Sequence, residues 1–188
     1  METSIFTSIV AASSALFGVA LTSFVQSRTQ QNNQQFQYAL ERGKRESEKA
    51  EKERVLALDR LATAHRQLSI IGREFSPTTL DIIWRADMKD LEYDQRYLSL
   101  CQEVDELRAI AGLYETSLAE DVEKIYGQMN IFWGNFKNLL RLTSLGEKAT
   151  PSISGLDKSH AAAREIGDRT TSIKRQLTEL AKRYRTDG

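Results

Sequence analysis

Cysteine, proline and histidine are nearly missing from this 188-residue chain, which has one Cys, two Pro and two His. A lone Cys101 cannot close an internal disulfide, which excludes a cross-linked secreted scaffold, and an unpaired thiol suits a reducing compartment. His65, His160 and Cys101 are too few to converge on a metal. Asp157-Lys158-Ser159-His160 does have the i, i+3 spacing of a carboxylate-bridged di-iron site, but such bundles need two Glu-x-x-His copies and further glutamates. No metal and no cofactor is expected. Net charge is also absent: Lys plus Arg and Asp plus Glu both count 26, so no global field favours nucleic acid or an acidic substrate. Nucleotide-binding glycine loops, G-x-S-x-G and H-E-x-x-H do not occur. Glu103, Asp105 and Glu106 gather carboxylates without the partner that a general acid or base needs. The expectation is a non-enzymatic protein with no small-molecule substrate.

The first stretch that is present in force is Ile5 to Val25, twenty-one residues without a charged side chain. As a helix it rises about 31 Å, close to the roughly 30 Å hydrocarbon core of a bilayer. Thr7, Ser8, Ser13, Ser14, Thr22 and Ser23 dilute its apolar character, which leaves a cleaved signal peptide and a buried soluble helix as rivals. A signal peptide normally opens with Lys or Arg, however, and this chain opens Met-Glu-Thr-Ser. Length, absence of charge and the abrupt polar sequence afterwards predict a single transmembrane helix, with residues 1–27 as the anchor and the lipid bilayer as a partner. No Lys or Arg precedes it, whereas Arg28, Arg42, Lys44 and Arg45 follow. The positive-inside rule therefore sets the N-terminus outside and the C-terminal domain in the cytoplasm, as in a bacterial inner membrane. Ser14, Gly18 and Thr22 place small residues on one face of the anchor, where a second membrane helix could approach closely.

Residues 28–54 read as a polar and charged stalk. From Phe36 a 4-3 spacing runs through Leu40, Gly43, Ser47, Ala50, Arg54, Ala57, Leu61, Ala64, Leu68, Ile71 and Phe75. Between Gly43 and Arg54 it holds no large apolar residue, so pairs such as Glu41/Arg45 and Glu48/Lys52 must support a solvated helix. No proline occurs before Pro77, and the anchor and stalk can form one helix from about residue 4 to 75. Residues 55–188 are expected to form a cytoplasmic bundle with helices near 55–75, 78–114, 118–145 and 156–185. Ser76-Pro77 breaks the first from the second, although whether 78–114 is one helix or two stays open. Leu80, Ile83, Trp84, Met88 and Leu91 form one short face, and Tyr93, Tyr97, Leu100, Val104, Leu107, Ala111 and Tyr114 resume the frame. Ser117-Leu118-Ala119-Glu120 reads as a capping box for the most apolar helix, which belongs in the middle. Gly146 suits its C-terminal cap, and the longest loop signal follows at EKATPSISG. The last helix carries Ile166, Thr170, Ile173, Leu177, Leu180 and Tyr184, a seam that strengthens toward its end.

The fold class is thus all-α: a transmembrane helix continuing into a long stalk helix, then an antiparallel bundle of about four helices. Gly127 and Gly134, seven residues apart beside Trp133, suggest either close helix packing or a groove. Lys174, Arg175, Lys182, Arg183 and Arg185 make the last helix basic, which complements its dipole or an anionic partner. The function this points to is a scaffold, adaptor or sensor acting through a protein partner or self-association at the membrane. The alternative is a membrane-disrupting or pore-forming effector of defence or toxin type, assembled through its anchor. The layout of anchor and stalk also resembles the inner-membrane subunit of a phage spanin, in architecture and without a shared motif. That resemblance implies a periplasmic coiled coil, against the direction of the charge bias.

Overall fold

A computed structural model describes the backbone of residues 2–86, 88–146 and 155–186, with side chains described from residue 22 onward within those ranges. The elements are α1 (Glu2–Glu74), α2 (Pro77–Arg85), α3 (Asp90–Leu113), a 3-10 turn (Thr116–Leu118), α4 (Ala119–Ser144) and α5 (Leu156–Thr186). Among the described residues there is no strand. Two compact units divide inside α1, Met1–Glu53 and Arg54–Gly188.

In the first unit every side chain described, from Thr22 to Glu53, is exposed. A helix without tertiary cover depends on its own surface pairs, each worth about 0.2–0.5 kcal/mol. Arg42 and Glu46 supply one at 2.9 Å, and Arg45 and Glu41 supply another at 3.5 Å. Glu48 is met by Lys44 at 3.9 Å, one turn before it rather than one turn after as expected. Both orders satisfy the same i, i+4 geometry. Among the described residues no helix is long and apolar enough to cross a membrane. The expected anchor, from Ile5 as far as Leu21, lies outside the residues whose side chains are described.

The second unit is a four-helix bundle. Its first helix is the end of α1, and the predicted frame positions Ala57, Leu61, Ala64, Leu68, Ile71 and Phe75 are all buried. Cross-helix pairs give the order and the directions. Glu74 of α1 accepts from Arg96 Nε at 3.0 Å, and Arg60 lies 4.0 Å over the Tyr114 ring, so α3 runs antiparallel to α1. Tyr97 bonds Asn130 and Arg108 bonds Glu123, so α4 runs back along α3. Asp121 pairs with Arg169, while Asn135 abuts Gly155, so α5 runs back along α4. Lys174 reaches Ser69 and closes the ring of α1, α3, α4 and α5. Helices α3 and α5 therefore occupy opposite corners. Val122, Ile125, Met129, Phe132, Phe136 and Leu139 of α4 are all buried, as its broad apolar arc required.

Local chemistry sets the breaks. Ser76 caps α2 by accepting from the Thr79 amide at 3.2 Å, with Pro77 at the first helical position. Region 78–114 is two helices, because α2 stops at Arg85 and α3 starts afresh at Asp90. The restart changes the phase. Leu80 and Ile83 are buried, but Leu91, expected on the same face, is 71% exposed. The capping box at Ser117–Glu120 is not formed. Those residues enter α4 through the 3-10 turn, Leu118 holds the cap position without a side-chain bond, and Glu120 pairs with Lys124. Gly146 does adopt the left-handed φ of 74° that ends a helix without a Cβ penalty. The loop that follows, residues 147–154, lies outside the described residues. The seam of α5 weakens rather than strengthens at its end: Leu177 is buried, Leu180 only partly, and Tyr184 is exposed. The α3–α4 turn reaches α5 at Ser117, beside Arg175 and Arg183, so the last turns of α5 pass beyond the cover that α3 and α4 provide.

Candidate functional site

Of the residues singled out in the anchor, Ser14 and Gly18 lie outside the described side chains, and Thr22 is exposed. Gly127 and Gly134 are both exposed on α4, and a Cβ added at either would meet nothing within 4 Å, so no neighbouring helix crowds them. Trp133 turns the other way. Its ring stacks on Tyr97 with centroids 5.1 Å apart and 20° between planes, and its indole N–H donates to Asp94 Oδ1 at 3.1 Å. Lys137 Nζ donates to the second Asp94 oxygen at 2.5 Å and lies 5.2 Å from the Trp133 ring centroid.

This polar knot at the α3–α4 seam has no signal in the sequence, because Asp94 sits between the frame positions Tyr93 and Tyr97 and reads as a surface carboxylate. Tyr97 donates to Asn130 Oδ1 at 2.7 Å, and burial pushes its hydroxyl well above the usual phenol range, with Cys101 adding to the effect. The Cys101 thiol is likewise held up by burial, against a lowering bond from Tyr97. A protonated thiol is a poor nucleophile. Across α1 and α3, Gln67 is 2% exposed and donates its amide to Glu106, leaving its own Oε1 without a partner among the described residues. The Asp94, Tyr97–Asn130 and Gln67–Glu106 bonds each join two helices, whereas Tyr97 and Cys101 meet within α3.

His65 and His160 are on different faces: His65 is exposed on α1 and His160 half-buried on α5. Among the described residues no three His, Cys, Asp or Glu side chains gather where a metal could bind.

Two concave features among the described residues of the bundle flank the end of α5. One groove, of about 410 Å3, has Leu58, Leu61, Ala62 and His65 from α1 as one wall. Leu177, Thr178, Ala181, Lys182 and Arg185 from α5 form the other, so the floor is apolar, the rim is cationic and no carboxylate lines it. A second, on the other flank, lies between Ser117 and the α5 residues Arg175, Glu179 and Arg183. From Thr170 onward α5 carries five cations against Glu179 alone. Helix α3, at the opposite corner, carries six carboxylates against Arg96 and Arg108. A neutral chain thus folds into a bundle with one acidic and one basic corner. No known protein family, no curated protein and no solved structure matches the chain.

Proposed function

We propose that this chain is a non-enzymatic single-pass membrane protein. In this reading Ile5–Val25 anchors it, residues 28–54 form a polar and charged stalk, and the bundle beyond acts in the cytoplasm as a scaffold, adaptor or sensor through protein contacts. The carrying observation is the twenty-one-residue uncharged run, with no Lys or Arg before it and Arg28, Arg42, Lys44 and Arg45 after it. Hydropathy of that length favours insertion, and the charge bias favours this orientation. The sorting of charge to opposite corners of the bundle supports a binding role.

Membrane fractionation of the intact chain tests the reading. The protein should sediment with membranes, resist extraction by alkaline carbonate and high salt, and dissolve in detergent. In spheroplasts a C-terminal tag should be protected from external protease. Recovery in the soluble fraction, or digestion of the tag, would overturn it.

The second reading, a pore-forming or membrane-disrupting effector, is favoured by the Ser14, Gly18 and Thr22 face, which would let anchors pack closely. Expression with a membrane-potential dye separates the two. Depolarisation supports the effector, and a steady potential after forced dimerisation removes it.

A further inference from the structure

We infer that the bundle binds a second copy of itself, head to tail, with the outer stripe of α3 seated in the groove between α1 and α5 of the next molecule. The inference rests on the membrane-scaffold reading and names its partner.

The stripe is built by the same phase change that exposed Leu91. Leu91 and Leu98 are 71% and 63% exposed, and they stand seven residues apart on one face of α3. At 1.5 Å per residue that spacing is about 10.5 Å, and Leu58 to His65 along the groove is also seven residues. The spacing of the two leucine knobs therefore matches the length of the α1 wall of the groove. Charge matches at one end: Asp90 and Glu92, both exposed, flank Leu91, with the exposed Lys89 just before them, and the groove offers Lys182 and Arg185 without a carboxylate. Among the described residues Lys182 pairs with Glu179 on its own helix, an exposed contact at 2.8 Å that a stronger partner can replace at little cost.

The stripe and the groove are different patches, because α3 packs between α1 and α4 and turns its leucines away from both the groove and α5. An interface between unlike patches is heterologous, so it propagates into rings or rows rather than stopping at a two-fold dimer. A parallel pairing of the α1 stalks is the competing self-contact. It would face Glu46 of one copy with Glu51 of the other, across a seam of Gly43, Ser47, Ala50 and Arg54. A groove with nine lining residues is small for a stable interface, which takes about 20–30 residues a side. Such a contact is weak in solution and becomes effective where anchors confine the copies to one surface.

The test uses the intact chain in detergent micelles, followed by sedimentation across protein concentration and salt. The expected result is an average mass that climbs with concentration at low salt and falls back at high salt. Variant A, Asp90→Lys with Glu92→Lys, and variant B, Lys182→Glu with Arg185→Glu, should each lose association by about tenfold in midpoint concentration. An equimolar mixture of A and B should regain it, because the basic stripe of A now meets the acidic groove of B. Regain in the mixture also shows that both variants fold. If A loses helical content, Leu98→Ser replaces it, since that exposed position makes no core contact, and it should weaken association without the regain. Constant mass at all concentrations, or association that neither salt nor these variants alter, would overturn the inference. Both outcomes leave membrane attachment, read by carbonate extraction, as a separate result.

Discussion

Phe75 meets Phe132 edge-on across the centre of the bundle, with ring centroids 5.2 Å apart and 86° between planes. Phe75 follows directly on α1, so the pair joins the end of α1 to the middle of α4, two helices that face each other diagonally. Both rings are buried, and Phe132 also leans on Phe136 at 5.7 Å. Truncating the shared ring removes contacts from two neighbouring rings at once. Phe132→Ala should lower stability by about 3–5 kcal/mol, read by denaturant unfolding of the detergent-solubilised chain. Helicity of residues 22–53, whose side chains are all exposed, should survive the transition.

Tyr93 carries a buried hydroxyl without a hydrogen-bond partner among the described residues, and its ring meets Phe136 edge-on with centroids 5.4 Å apart. Leaving such a group unpaired costs about 1–3 kcal/mol, so Tyr93→Phe should raise the melting temperature. Tyr97→Phe, which removes the bond to Asn130, should lower it.

Alkali gives a second reading of the same two residues. Burial, first among the causes, raises both phenols in the folded state above the ordinary value of 10.0. A raised folded pKa on an acid means that the unfolded chain loses its proton first. Stability is therefore unaffected by these groups below about pH 10 and falls as pH rises past it. In absorbance titration Tyr93 and Tyr97 should ionise only together with unfolding, and the double Phe variant should flatten the alkaline loss.

Glycine substitutions should separate cleanly by position. Gly155 has φ of +71°, and a Cβ there would lie 2.6 Å from Asn135 Oδ1, so Gly155→Ala should destabilise by more than the roughly 1 kcal/mol of the backbone strain alone. Gly127 and Gly134 sit inside α4 with open space beside them. Gly134→Ala should gain up to about 1 kcal/mol from helix propensity, as should Gly127→Ala. Thermal melts of the three single variants check the order.

Asp94 ties α3 to α4 through two donors, Trp133 and Lys137. Asp94→Ala should cost about 1–2 kcal/mol, because a half-buried indole N–H and an ammonium lose their acceptor together. The emission of Trp133 should shift, while the Trp84 contribution, governed by its 3.3 Å bond to Thr143, stays in place.

How far the residues alone announce this fold can be judged on particular stretches. Leu61, Ala64, Leu68 and Ile71 on α1, Phe75 just after it, and the run from Val122 to Leu139 on α4 repeat every three or four residues, so their burial follows from helical geometry once a partner exists. Ser76-Pro77 and Gly146 mark breaks through backbone chemistry that needs no neighbour. Ser117 to Glu120 spells a cap that does not form, since a motif states what side chains can do and not whether the preceding turn permits it. Leu91 and Tyr114 fit the apolar count and remain exposed, because phase is lost across a helix break and helices end before their neighbours do. The polar ties at Asp94, Gln67 and Tyr97 have no local signature at all, as each depends on a residue more than 30 positions away.

From its amino acids alone this protein is held to helices of known period, to breaks at Pro77 and Gly146, and to an uncharged opening run, since all of these depend on near neighbours. Only the tertiary structure decided which helices became neighbours. That choice placed the carboxylates of α3 and the cations of α5 at opposite corners, turned Leu91 and Leu98 outward and left a groove beside Leu58 and Lys182, because packing registers distant segments by shape and burial, to which linear periodicity is blind.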